Sequence, residues 1–195
     1  MEMAFDAEAQ VSDEALLVAY GNGDRAAAMA LTMRLTPRVM GFAARMLGGD
    51  RHEAEDVAQE AMLRLWKVAP DWRQGEAKVT TWLYRVTANL CTDRLRKRRG
   101  VDIDAIPEPA DDRPGAAATM MEEVRARALQ EALDALPERQ RIAVTLRHLE
   151  GRTNPEIAEV LEISVEAVES LTARGKRALA ASLGQRREEL GYVEE

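Results

Sequence analysis

The sequence predicts an all-α protein of two small helical domains joined by a flexible linker. Three observations carry that prediction. Ala, Leu, Arg and Glu abound while aromatics are only 4%, a balance that suits helices better than sheets. Cap and stop residues bracket one apolar-periodic segment after another, and no segment alternates with the period of a strand. Between the two blocks lies GVDIDAIPEPADDRPGAAA (100–118), whose three prolines, two glycines and five acids read as a tether.

The first block begins at Ser12, which with Asp13 and Glu14 signals a helix start, and Gly21-Asn22-Gly23 signals its stop. Asp24 caps a second helix through Leu35. Thr36-Pro37 reads as a fresh cap with proline at the first helical position, and Gly48-Gly49 ends that third helix. Asp50 with Glu53 three residues on resembles a capping box for a helix to about Val68, before Pro70. Ala54, Val57, Ala58, Ala61, Leu65 and Val68 form its apolar stripe. Residues 71–78 follow as a loop, and 79–99 as a long helix stopped by Gly100, closing a domain at 12–99.

The second domain spans 119–183. A helix runs from near Thr119 to Ala135, Leu136-Pro137 restarts one through Glu150, and Gly151 ends it. Thr153-Asn154-Pro155-Glu156 combines a capping box with an N-terminal proline and opens a short helix to about Leu161. Ser164 caps the last helix, Val165 to about Leu183, with Val165, Val168, Leu171, Gly175 and Ala178 turned to the core. Residues 184–195 are a tail.

Composition excludes several classes of function. No apolar run approaches the ~20 residues of a membrane span, and the acidic N-terminus is unlike a signal peptide, so the expectation is a cytoplasmic protein without membrane insertion. A lone Cys91 excludes an intrachain disulfide, and two histidines with one cysteine cannot complete a four-ligand zinc site. No cofactor is implied. Gly175-Lys176 lacks the upstream glycine and following Ser/Thr of a phosphate loop. Neither a Ser/His/Asp set nor a paired-carboxylate site stands out, so the chain is not read as an enzyme.

Net charge of −7 argues against nucleic acid until its distribution is seen. Tyr84–Arg99 carries six basic residues against Asp93 alone, a local +5. Four of the eight aromatics (Trp66, Trp72, Trp82, Tyr84) immediately precede or open that run. Aromatic faces beside cations suit unpaired bases, though Trp66 and Trp82 taken singly suit a small core equally well. The short helix, tight turn and longer helix of 154–183 have helix-turn-helix spacing, which a plain three-helix bundle with a solvated face also satisfies. On helix 51–68, Leu63 stands among charged residues on the face opposite the apolar stripe, as in a docking surface or a solvated face with one stray leucine.

EAEDVAQEAMLRLWK (53–67), TTWLYRVTANLCTDRLRKRR (80–99) and LPERQRIAVTLRHLEGRTNPEIAEVLEISVEAVESLTARGKRAL (136–179) together resemble a bacterial RNA polymerase sigma factor of the extracytoplasmic-function group in the sigma-70 family. The resemblance covers 12–99 as sigma domain 2 and 119–183 as sigma domain 4, and it implies promoter recognition and nucleation of strand opening with core RNA polymerase. It assigns Asp56, Gln59, Glu60, Leu63, Arg64 and Lys67 to the clamp coiled coil of the β′ subunit, with the β flap as a second polymerase contact. It assigns Trp72, Arg73, Gly75, Lys78, Trp82, Arg85 and Asn89 to an unpaired minus-ten strand, with Arg94, Arg96, Lys97 and Arg98 meeting the backbone. It assigns Glu169, Ser170, Ala173, Arg174, Lys176 and Arg177 to the minus-thirty-five duplex, with Arg152 and Asn154 on phosphate. Trp72 stands one position from the family's usual phenylalanine, and Glu169 and Leu171 stand where basic residues are common. An anti-sigma factor is a further implied partner. Because the acidic linker follows a basic run, the two domains are expected to fold against each other in the free chain, with a freely swinging tether as the alternative.

Overall fold

A computed structural model describes residues 11–73, 75, 77–101, 117–187 and 189–191. Its helices are α1 (Asp13–Gly21), α2 (Arg25–Met46), α3 (Arg51–Val68), α4 (Val79–Val101), α5 (Ala117–Asp134), α6 (Glu138–Val144), α7 (Asn154–Leu161) and α8 (Val165–Gly184). The described residues include no strand, and none of their helices is long and apolar enough to cross a membrane. The expected linker falls at 102–116, outside the described residues.

Local signals placed most helix starts. Ser12 accepts from the Ala15 amide at 3.2 Å, Asp24 from Ala26 at 2.9 Å, and Ser164 from Ala167 at 3.2 Å. Thr153 and Glu156 form a reciprocal capping box. Asp50 caps α3 through the Glu53 amide at 3.0 Å, but the Glu53 carboxylate turns to Arg94 instead of closing the box.

Four expectations need correction. Thr36-Pro37 does not start a helix: α2 runs through it with Pro37 inside. Leu31, Leu35, Val39 and Phe42 form one buried stripe across that point, and their burial, at ~1.5–3 kcal/mol each, outweighs a proline penalty of ~3 kcal/mol. Gly100 does not stop α4, which reaches Val101, and the last turn before Glu150 is a π turn over Thr145–Leu149. Ala178 is exposed; Leu179, one residue on, packs inward instead. The C-terminal tail returns to α5, where Arg125 donates to the Leu190 carbonyl at 3.1 Å and Leu190 is buried.

One apolar cluster lies inside the first domain, built on Leu17, Leu31, Leu35, Leu65 and Leu83. A second crosses between domains: Phe42, Met46, Tyr84 and Cys91 pack with Ile142, Leu146, Ile157 and Leu161 in one buried group. In this structure the two domains share a core.

Gly175 lets α8 lie close on α6. A Cβ there would collide with Val144 Cγ2 and sit 3.4 Å from the Gln140 carbonyl oxygen. Gly175→Ala should therefore destabilise the chain by ~1–3 kcal/mol, read as a lower urea midpoint. An unchanged midpoint would mean that this helix pair yields freely.

Candidate nucleic-acid interface

Three surfaces lie on separate elements. On α3 five of the six predicted stripe residues are buried and Met62 joins them, while Val68 at the helix end is only half-buried. The opposite face exposes Asp56, Gln59, Leu63, Arg64 and Lys67, with Glu60 half-buried beside them. Arg64 pairs with Glu60 at 2.8 Å, one turn apart. Leu63 is 54% exposed among these charges, so the fold does not explain it.

The second surface is α4 with the preceding loop. The Val79 amide at the start of α4 donates to Glu14 at 3.0 Å, so a carboxylate from α1 satisfies a helix-end donor there. Nothing local in the sequence signals that contact, made across 65 residues. Gly75 has φ of 92°, a left-handed conformation that glycine takes readily. Trp72 lies edge-on to Trp82, ring centroids 6.2 Å apart, and its buried indole N–H finds no partner among the described residues. Trp72 is thus more enclosed than its loop position suggests.

Trp82, Arg85, Asn89 and Arg96 recur at helical spacing along α4, with Asn89, Arg96 and Lys97 exposed; Arg73 is exposed in the loop. Arg94 and Arg98 turn elsewhere. Arg94 pairs with Glu53 at 2.8 Å and Arg98 with Asp50 at 2.7 Å, fastening α4 to the start of α3. The Glu53 amide and then Arg98 hold the Asp50 carboxyl below its ordinary range. Cys91 is buried, and burial pushes its thiol up to about 12, which suits a packing residue and not a reactive one.

The third surface is the α7–α8 pair. Glu162 takes the left-handed conformation, φ 53°, that turns the chain between them. Glu169, Ser170, Ala173, Arg174, Lys176 and Arg177 all lie exposed on α8, while Val168 and Gly175 are buried behind them. Arg174 is drawn back to the Ser170 carbonyl at 3.2 Å. Asn154 is half-buried at the start of α7.

The domains meet in a polar seam around their shared core. The Tyr84 hydroxyl donates to Glu150 at 2.6 Å, and Arg45 reaches the other Glu150 oxygen at 3.3 Å. The Arg152 guanidinium stands 5.8 Å from the Tyr84 ring centre, within cation–π range. Lys78 pairs with Glu156 at 2.8 Å and Arg85 with Glu162 at 3.6 Å. Thr92 donates to Glu138 at 2.6 Å, and Arg141 to the Met46 carbonyl at 2.9 Å. Burial raises the Tyr84 hydroxyl's pKa, and Glu150 adds to that. Burial would also raise Glu156, but hydrogen bonds from Lys78 and Thr153 prevail and hold it at about 2.

That depression fixes a pH dependence. A carboxyl at about 2 in the fold and about 4.3 in the unfolded chain stabilises fully above the higher value. The contribution is lost as pH falls through the lower one. Glu156→Gln keeps a capping side chain but loses the charge, so its thermal midpoint should vary less with pH between about 4.5 and 2 than the wild type's. Parallel curves would show that Glu156 contributes nothing there.

Residues 31–101 match the family model for sigma-70 region 2, and residues 126–179 match that for sigma-70, region 4. The chain is 33% identical over 184 residues to the ECF RNA polymerase sigma factor SigM of Mycobacterium tuberculosis, covering 93% of this chain and 90% of that one. It belongs to the extracytoplasmic-function sigma factors of the sigma-70 family. As such it is a promoter-directing sigma factor. SigE of Mycolicibacterium smegmatis is 34% identical over 138 residues, 68% of this sigma factor and 52% of that longer relative. Among solved structures, CnrH in complex with the cytosolic domain of CnrY superposes with a TM-score of 0.66 at 25% identity, covering 89% of this chain and 97% of the other.

Proposed function

We propose that this sigma factor divides its work among the three surfaces. The exposed α3 face, with Leu63 at its centre, docks on the β′ clamp coiled coil. The loop and the exposed side of α4 take the displaced minus-ten strand: Trp72 and Trp82 offer aromatic surface, Asn89 a base-edge contact, and Arg73, Lys78, Arg85, Arg96 and Lys97 the cations. Arg94 and Arg98 act as positioning residues, held by the start of α3. The exposed face of α8 reads the minus-thirty-five duplex, with Arg152 and Asn154 on phosphate and the β flap holding this domain.

What supports the reading most is the unexplained Leu63. A 54% exposed leucine within a mixed-charge helix face has no packing role in the fold, and apolar centres with polar rims are the usual anatomy of protein interfaces. The CnrH relative was solved with a piece of CnrY, and we extend that likeness to an anti-sigma factor acting on this chain in the cytoplasm. The first test is a pull-down with purified core enzyme. A stoichiometric complex is expected, with sequence-selective DNA binding only in that complex. Tight duplex binding by the free chain without polymerase association would favour a free-standing regulator.

A further inference from the structure

α2 carries an apolar stripe that the packing of the helices leaves in water. Met33, Pro37 and Met40 recur at helical spacing on the side opposite Leu31, Leu35 and Phe42, and all three are exposed, Met33 at 64% and Met40 at 38%. Met29 lies one turn earlier on the same side, 66% exposed. None of these side chains joins an apolar cluster, and the domain seam takes Phe42 and Met46 from the other side of the helix. Methionine is an adaptable contact residue, and contiguous exposed apolar surface marks a place where something binds.

The chain enters α1 beside this stripe. Arg34, next to Met33, donates to the Val11 carbonyl at 2.7 Å and pairs with Asp13 at 3.4 Å. Only residues 22–24 join α1 to α2, so the two helices run antiparallel, and the chain before Val11 leads on toward Met40 and away from Met29. Those ten residues, MEMAFDAEAQ, lie outside the described residues. Their chemistry suits the stripe. Met1, Met3 and Phe5 are apolar, and Glu2, Asp6 and Glu8 supply acids without a base, whereas α2 carries Arg25, Arg34, Arg38 and Arg45 without an acid. Reach is sufficient: ten extended residues span up to ~33 Å, and Met33 to Met40 is about 10 Å along the helix.

We propose that residues 1–10 seat on this stripe, with Met3 and Phe5 against Met33, Pro37 and Met40 and the acids toward Arg34 and Arg38. Two arguments favour the chain's own segment over a second copy. The short tether to Val11 holds it at an effective concentration on the order of millimolar. Its charge is also opposite to that of the helix, whereas two copies of the stripe face to face would bring Arg34 and Arg38 against their own kind. Met29 lies behind the point of entry and stays in solvent, which makes it an internal reference.

The test is methionine oxidation of the full chain by a low dose of hydrogen peroxide, mapped residue by residue by mass spectrometry, since exposure governs the rate. In the wild type Met33 should oxidise at least about threefold more slowly than Met29, although α2 exposes the two almost equally. Met3→Glu with Phe5→Glu should bring the two rates together. Glu2→Lys with Asp6→Lys and Glu8→Lys should do the same by reversing the attraction to α2. Buried Met46 and Met62 should stay slow in both variants, which reports an intact first domain. Equal rates at Met33 and Met29 in the wild type would overturn the proposal, as would protection of Met33 that survives both variants. Protection that fades on dilution would also overturn it and assign the stripe to a second copy.

Discussion

Leu63→Glu should weaken binding to core polymerase by at least ~2 kcal/mol, about thirtyfold, while leaving the fold unchanged. The side chain is 54% exposed in the free chain, so replacing it costs the fold little. At the centre of a desolvated contact the new carboxylate would lack a partner, and buried unpaired charge is heavily penalised. The flanking charges matter differently. Arg64 is held by Glu60 at 2.8 Å, and Asp56 lies 3.8 Å from Arg94, so both enter the interface already oriented. Truncating Asp56 and Arg64 together should cost up to ~2–5 kcal/mol if they are buried against polymerase charges. Met33→Glu is the control, since Met33 is 64% exposed on α2, off the proposed docking face. Fluorescence titration with core enzyme reads all three. Equal affinities for Leu63→Glu and wild type would remove α3 from the interface.

The second large effect concerns strand opening. Trp72→Ala should lower open-complex formation by about fivefold or more, since losing one base stack costs ~1–3 kcal/mol, and Asn89→Ala by a similar factor, since a base-edge contact is worth ~1–3 kcal/mol; both should leave core binding nearly intact. Trp72 needs a companion variant, because it also packs edge-on to Trp82 and its deletion will loosen the first domain. Trp72→Phe keeps a ring for both purposes and should restore most of the opening. Asn89 is exposed and carries no such complication. Permanganate reactivity of promoter thymines is the readout. Full reactivity in Asn89→Ala and Trp72→Ala would show that the base pocket lies elsewhere.

Local chemistry made the helices legible, and distant contacts hid what the sequence could not show. The caps at Ser12, Asp24, Asp50, Thr153 and Ser164 act within three residues, so each could be read from a short window. Pro37 misled because its cost is local, whereas the burial of Leu35, Val39 and Phe42 that overrides it is tertiary. Ala178 misled because a small apolar residue fits either side of a helix, and Leu179 took the inward place. The exposed face of α3 followed from periodicity alone, and that of α8 did so apart from Ala178 and Lys176. Glu14 at the start of α4, and Glu150 between Tyr84 and Arg45, rest on contacts 65 or more residues apart. Domain packing was expected from the acidic linker. Among the described residues the seam is built from α2 and α4 against the second domain, apolar at its centre and polar at its edge, and the acidic linker lies outside them.

Run-off transcription with purified core polymerase on a library of genomic fragments tests the central claim most directly. Core enzyme alone should give no discrete start sites. Adding the sigma factor should give a set of transcripts whose upstream sequences share two short elements, one near minus ten and one near minus thirty-five. Asn89→Ala should reduce every transcript while the complex still forms. A chain that joins core polymerase but produces no discrete starts, or that selects duplex DNA equally well without the enzyme, would contradict the account.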